Sequence, residues 1–125
     1  MLRILLVSAR QETIHPFAEG LALDPEVRLD QIGSGAEALS AVRSASPHLV
    51  IIDSELPDIK PLPLVQDLLM VNAMVNTAVI SPVSDEEFHE ASEGLGVLAR
   101  LPLMPLKSDA ARLLHQLRKV LGELA

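Results

Sequence analysis

The sequence has no cysteine, no tryptophan and no tyrosine, and only two phenylalanines in 125 residues. Without cysteine there is no disulfide framework, no thiol nucleophile and no cysteine-based zinc or iron–sulfur site. Without aromatic platforms, stacking of nucleobases or a flavin has little to build on. Basic residues are scarce: ten Lys and Arg against seventeen Asp and Glu leave a net charge of −7. The ten are scattered, and phosphate-backbone binding needs a clustered basic footprint, so no nucleic-acid binding by this domain is expected. Long apolar runs are missing too. The longest, Leu62 to Ile80, is broken by Pro63, Gln66, Asp67, Asn72 and Asn76, so no membrane partner is expected. The first strand-like run, Leu2–Val7, leaves no room for a signal peptide, and the expectation is one soluble, cytoplasmic domain over residues 1–125.

What is present is aliphatic alternation of two periods. Short β-type runs at Leu2–Val7, Val27–Ile32, Leu49–Asp53, Ala78–Ser81 and Val97–Leu103 are separated by helical patterns. Ile4-Leu-Leu-Val7 and Leu49-Val-Ile-Ile52 are continuously apolar, as central parallel strands buried on both faces must be. Val27–Ile32 alternates and suits a peripheral strand, and Pro102 argues for an edge because proline donates nothing to a ladder. Ser34-Gly-Ala-Glu37 and Ser84-Asp-Glu-Glu87 fit capping boxes, Pro16 fits a first helical turn, and Ser108 is the expected cap of the last helix. In that helix Leu113, Leu114, Leu117, Val120, Leu121 and Leu124 form an apolar stripe. The alternation predicts an α/β fold: a doubly wound, five-stranded parallel sheet with five helices. The functional crevice of such a sheet lies beyond the carboxyl ends of its strands.

Attention therefore falls on Ser8-Ala9-Arg10, Asp53, Ser81 and Met104-Pro105, each just after a central or late strand. Asp53 ends four apolar residues; alone, it reads most simply as the polar stop of a buried strand. In sequence context it does more. Pro47-His-Leu-Val-Ile-Ile-Asp53-Ser-Glu-Leu-Pro57-Asp58, Ser34-Gly-Ala-Glu-Ala-Leu39 and Val79-Ile-Ser81 together resemble the receiver domain of two-component response regulators, the CheY-like superfamily. The resemblance spans essentially the whole chain. It implies a flavodoxin/CheY-like strand order 2-1-3-4-5, Asp53 in the phosphoacceptor place, Ser81 as the hydroxyl that contacts a phosphoryl group, and a cis Met104–Pro105 bond.

The departures point to a degenerate, or pseudo-receiver, variant. Receivers carry two acids after strand 1 that hold Mg²⁺ with the aspartate; Ser8 and Ala9 stand there. Mg²⁺ is held by carboxylates or substrate phosphates, and phosphoryl transfer depends on it to neutralise developing charge. Asp53 with Glu55 or Asp58 is a poor substitute. The family's lysine before the strand-5 proline is replaced by Met104, or by Leu101 if Pro102 is the aligned proline. Arg10 and Lys107 are the cations near enough to turn toward Asp53, but both are expected in solvent. The expected crevice thus sets Ser8 and Ala9 against Asp53, with no cation on the carboxylate. The strand-5 aromatic that works with the strand-4 hydroxyl is missing as well, Leu101 being nearest that place.

Three functions compete. The preferred one is a receiver-like signalling domain, not an enzyme and without a cofactor, that binds a protein partner: a histidine kinase, an output domain or a second copy. Its surface is expected over helix 4, strand 5 and helix 5, including Leu98, Leu101 and Leu103. Met70 and Met74, one turn apart if residues 64–75 are helical, form a second candidate patch. The alternative is a working phosphoacceptor using Asp53 and weakly bound Mg²⁺. The third, a flavodoxin-like ligand binder, is disfavoured because Ser8–Thr13 has no glycine to let amides approach a phosphate. His15, His48, His89 and His115 lie on separate elements without metal-ligand spacing.

Overall fold

A computed structural model describes residues 1–122. Five strands alternate with five helices: β1 (Leu2–Val7), α1 (His15–Ala22), β2 (Val27–Ile32), α2 (Gly35–Ser44), β3 (Leu49–Ile52), α3 (Pro61–Val71), β4 (Asn76–Ile80), α4 (Asp85–Ala91), β5 (Ala99–Leu101) and α5 (Lys107–Val120). The sheet is parallel throughout, in the order β2-β1-β3-β4-β5. The continuously apolar strands are indeed central: every residue of β3 is buried, and β1 spares only Arg3. Alternating β2 lies at one edge and β5 at the other.

Two apolar layers cover the sheet. On one face Leu2, Ile4, Leu6, Ile51 and Ile80 meet Phe17 of α1 and the Leu113, Leu114 and Leu117 stripe of α5. On the other, Leu5, Val7, Val50, Ile52 and Val79 meet α2, α3 and Phe88 of α4. Leu124 of the predicted stripe lies outside the described residues.

Several boundaries differ from expectation for local reasons. The third helix begins at Pro61 rather than residue 64, since prolines at its first and third positions lack only N–H groups that need no intrahelical partner. It ends at Val71, where extended Asn72 accepts the Met74 N–H on its own side chain at 2.9 Å. Met74 therefore sits in a turn, and the methionine pair is not a helical one. The fifth strand shrinks to three residues because Pro102 ends its ladder. Ser34 and Ser84 cap as predicted, accepting the Glu37 and Glu87 N–H groups at 3.2 and 3.1 Å. Ser108 does not cap α5. The helix starts one residue before the serine with Leu106 at its N-cap, and Asp109 in its first turn accepts the Leu106 N–H at 2.8 Å.

Candidate functional site

The carboxyl ends of β1 and β3 are in register, with Val7 beside Ile52, so the next residues leave the sheet side by side. Ser8 is fully buried, its N–H held by Ile32 O at 2.9 Å; Asp53 is fully buried, its N–H held by Val7 O at 2.9 Å. Fixed backbones thus aim a hydroxyl and a carboxylate at each other, and Ser8 Oγ donates to Asp53 Oδ2 at 2.7 Å.

The chain then turns, and Ser8 Oγ accepts the Arg10 N–H at 2.9 Å. That turn brings the Arg10 side chain back over the carboxylate. Its Nε donates to Asp53 Oδ2 at 2.9 Å and its Nη2 to Oδ1 at 2.7 Å, a bidentate fork. The Ser54 N–H completes Oδ1 at 2.7 Å. Arg10 Nη2 also donates to Leu103 O at 2.9 Å, so one guanidinium ties the ends of β1 and β3 to the β5–α5 connection. A buried carboxylate demands such compensation. Burial is the largest influence on Asp53 and pushes its carboxyl up. The hydrogen bonds from Arg10, Ser8 and Ser54 together outweigh it and hold the group below the usual carboxylate range. The bond to Asp53 likewise raises Arg10.

The expectation that no cation reaches Asp53 is therefore wrong for Arg10 and right for Lys107, which is exposed and 3.8 Å from Glu19. Ala9 is exposed and does not face the carboxylate. Met104 is 66% exposed and brings no charge, and every described peptide bond is trans, Met104–Pro105 included. The ordinary trans preference of an X–Pro bond prevails there over the cis form that the resemblance implies.

The remaining candidate ligands are committed elsewhere. Asp58 receives the Gly35 and Ala36 N–H groups, both at 2.9 Å, and so caps α2. Those two bonds hold its carboxyl below the usual range. Glu55 is exposed, and no cluster of three or more His or acidic residues with metal-ligand geometry exists among the described residues. Mg²⁺ needs near-octahedral oxygen donors with negative charge. Here each Asp53 oxygen already accepts two short bonds, and the position over them is cationic. The residues present do not fit the ion.

Ser81 directly follows β4, but its hydroxyl accepts the Val83 N–H at 3.4 Å rather than meeting Asp53. Leu101 is not the side chain nearest that hydroxyl's loop. It points into the core with α5, whereas Arg100, one residue earlier and so on the opposite face, donates to Ser81 O at 2.7 Å and pairs with Asp85 at 2.6 Å. Leu101 is accordingly unavailable as an interaction residue. Leu98 is half-buried against the same core, while Leu103 is exposed; Met70 and Met74 are 88% and 85% exposed.

A response regulator receiver domain protein from Methanospirillum hungatei superposes with a TM-score of 0.83 at 16% identity over 98% of both chains. The chain has the receiver-domain fold. A chemotaxis response regulator of Vibrio cholerae gives 0.81 at 15% identity, over 94% of this chain and 98% of that one. The N-terminal domain of an uncharacterized Wolinella succinogenes protein gives 0.82 at 19% over the full length of both. No family model matches the sequence, and no curated protein matches it. The receiver fold thus persists here at a sequence distance where individual pocket residues are free to differ. The Arg10 contact is the feature of this site that the solvent reading of exposed charges missed; Ser8-Ala9-Arg10 and Asp53 follow strands that end side by side.

Proposed function

We propose that residues 1–125 form a pseudo-receiver: a signal-transduction domain of the two-component type that works through protein contacts without Mg²⁺-dependent phosphorylation of Asp53. The observation that carries this reading is the Arg10 fork on both Asp53 oxygens. An attacking carboxylate needs a free lone pair, and its metal needs the space that the guanidinium fills. Arg10 also supplies permanently the tie between Asp53 and the β5–α5 connection. The names of the structural neighbours, response regulators and receiver domains, support the signalling role.

Incubation with acetyl phosphate and Mg²⁺, followed by intact mass, is expected to leave the mass unchanged. A Mg²⁺-dependent gain of one phosphoryl that disappears in Asp53→Asn would instead establish the alternative, a working phosphoacceptor; the retention of Asp53 and Ser81 at their strand ends favours that second reading.

A kinase, an output domain or a second copy is the proposed class of partner. Two exposed apolar areas are offered to it: Leu103, Met104 and Leu106 in the β5–α5 connection, and Met70 with Met74 below α3. Replacing both Met70 and Met74 with Glu is expected to leave the thermal midpoint nearly unchanged, because neither side chain packs in the core, and to abolish association. An unaltered oligomer mass in the variant would remove that patch from the proposal.

A further inference from the structure

The largely apolar cleft between the start of α3 and α4 is unrelated to the Arg10–Asp53 pair, although Ser54 borders both. Its volume is about 330 Å³, within the range of small-ligand sites. Leu62, Val79 and Phe88 in its walls are continuous with the core layer on that face of the sheet, and Ile80 and Val83 also line it. Pro61, Pro63 and Pro82 form much of its rim. Their fixed φ angles preform the opening, so little chain entropy is lost when something enters.

The polar side chains at this cleft are few: Lys60, Ser54 and Ser81, of which Ser54 already donates its hydroxyl toward Asp53 at 3.4 Å. Lys60 is the single charged residue lining it; no carboxylate does. Among the described residues the Lys60 ammonium has no ion-pair partner, and the Ser81 hydroxyl, which accepts from Val83, has its own O–H free to donate. An apolar cavity lined by one cation, no carboxylate and the free Ser81 O–H is complementary to an apolar molecule ending in an acceptor anion. We infer that this cleft binds a compact apolar monocarboxylate of roughly six to ten carbons. The net charge of −7 opposes an anion at long range. At physiological ionic strength that repulsion is screened beyond about 8 Å, leaving the contact with Lys60 to decide. Because Ser54, the neighbour of Asp53, lines the cleft, occupancy reaches the loop that a phosphoryl group would otherwise address. As a signal input it rests on the pseudo-receiver reading, whereas binding itself does not.

Amide chemical shifts of the whole chain, titrated with octanoate, hexanoate and octan-1-ol, test the site. Saturable octanoate shifts are expected at Leu62, Val79–Val83 and Phe88. Hexanoate should bind about tenfold more weakly, from the loss of two methylenes. Octan-1-ol should bind about fivefold more weakly, and Lys60→Gln should erase the difference between acid and alcohol. Ala91 is exposed at the cleft, so Ala91→Trp fills it without disturbing the core and should abolish the shifts; Ala91→Leu is the smaller companion variant. Absent or non-saturating shifts, shifts centred elsewhere, equal affinity for acid and alcohol, or undiminished binding in well-folded Ala91→Trp would each overturn the inference. None of these readouts involves Asp53, so a phosphorylation result and a binding result can fail separately.

Discussion

Arg10→Met is expected to cost about 2–4 kcal/mol of stability at pH 7, measured by urea unfolding, although it removes a side chain already 25% exposed. The cost arises from what is left behind. Asp53 is fully buried, and without the fork it keeps only the Ser8 and Ser54 donors. The range sits slightly below that for a fully buried pair because water already reaches part of the guanidinium and Asp53 can take up a proton. The pH dependence separates this cause from lost packing. In the wild type the Asp53 carboxyl is held below its usual range. Its contribution is therefore complete above the unfolded value of about 3.9 and is lost as pH falls through the lower folded value. In Arg10→Met burial prevails, the folded carboxyl titrates above the unfolded one, and the variant gains stability as pH falls toward 4. The gap between the two proteins should narrow steadily between pH 7 and 4. A constant gap would mean that only methylene packing was lost. Arg10→Met combined with Asp53→Leu should regain at least half of the deficit, because an apolar pair of similar volume carries no desolvation penalty.

The second large effect is a gain of metal binding. Ser8 Oγ is 2.7 Å from Asp53 Oδ2, so a carboxylate at position 8 would place an oxygen at the same spot, against another carboxylate. The triple variant Ser8→Asp, Ala9→Asp, Arg10→Ser is expected to be at least about 2 kcal/mol less stable than the wild type without divalent ions, from like charges in a buried site. Ten millimolar Mg²⁺ should restore about 2 kcal/mol, as a ligand present at some thirtyfold its dissociation constant does. The wild-type midpoint should not move with Mg²⁺ beyond the effect of matched ionic strength. A wild type stabilised by Mg²⁺ as strongly as the variant would show that the cation over Asp53 yields to metal.

Much of this molecule was legible in its residues, and the failures share a cause. The continuous apolar runs placed β1 and β3 at the centre, alternation placed β2 at an edge, and two Ser-x-x-Glu patterns marked the starts of α2 and α4, because each depends on neighbours in sequence. Arg10 on Asp53 joins residues 43 apart, and Asp58 on the Gly35 and Ala36 amides joins residues 22 and 23 apart. No local pattern carries such pairings. Statistics for exposed charges placed Arg10 in solvent. A buried strand-end carboxylate requires a counter-charge, however, and Arg10 is the cation that the β1–β3 register brings to it. Arg100 was hidden differently. The fifth strand was read as the seven residues Val97–Leu103 with its leucines in view, when period-two alternation over Ala99–Leu101 puts Leu101 in the core and Arg100 opposite. The resemblance supplied the right fold, but it implied a cis Met104–Pro105 bond that is trans and set Ala9 toward Asp53 where it is exposed, and the Ser81 hydroxyl it placed at the pocket bonds Val83 instead.

The central claim is that a guanidinium stands permanently where receivers place a metal. The Nε–H resonance of Arg10, followed during Mg²⁺ titration of the wild-type chain, tests it most directly. The claim predicts a single protected Nε–H signal, lost in Asp53→Asn and unmoved by millimolar Mg²⁺. An Arg10 Nε–H that exchanges freely with solvent, or one that shifts saturably with Mg²⁺ together with the Ser54 amide, would contradict it.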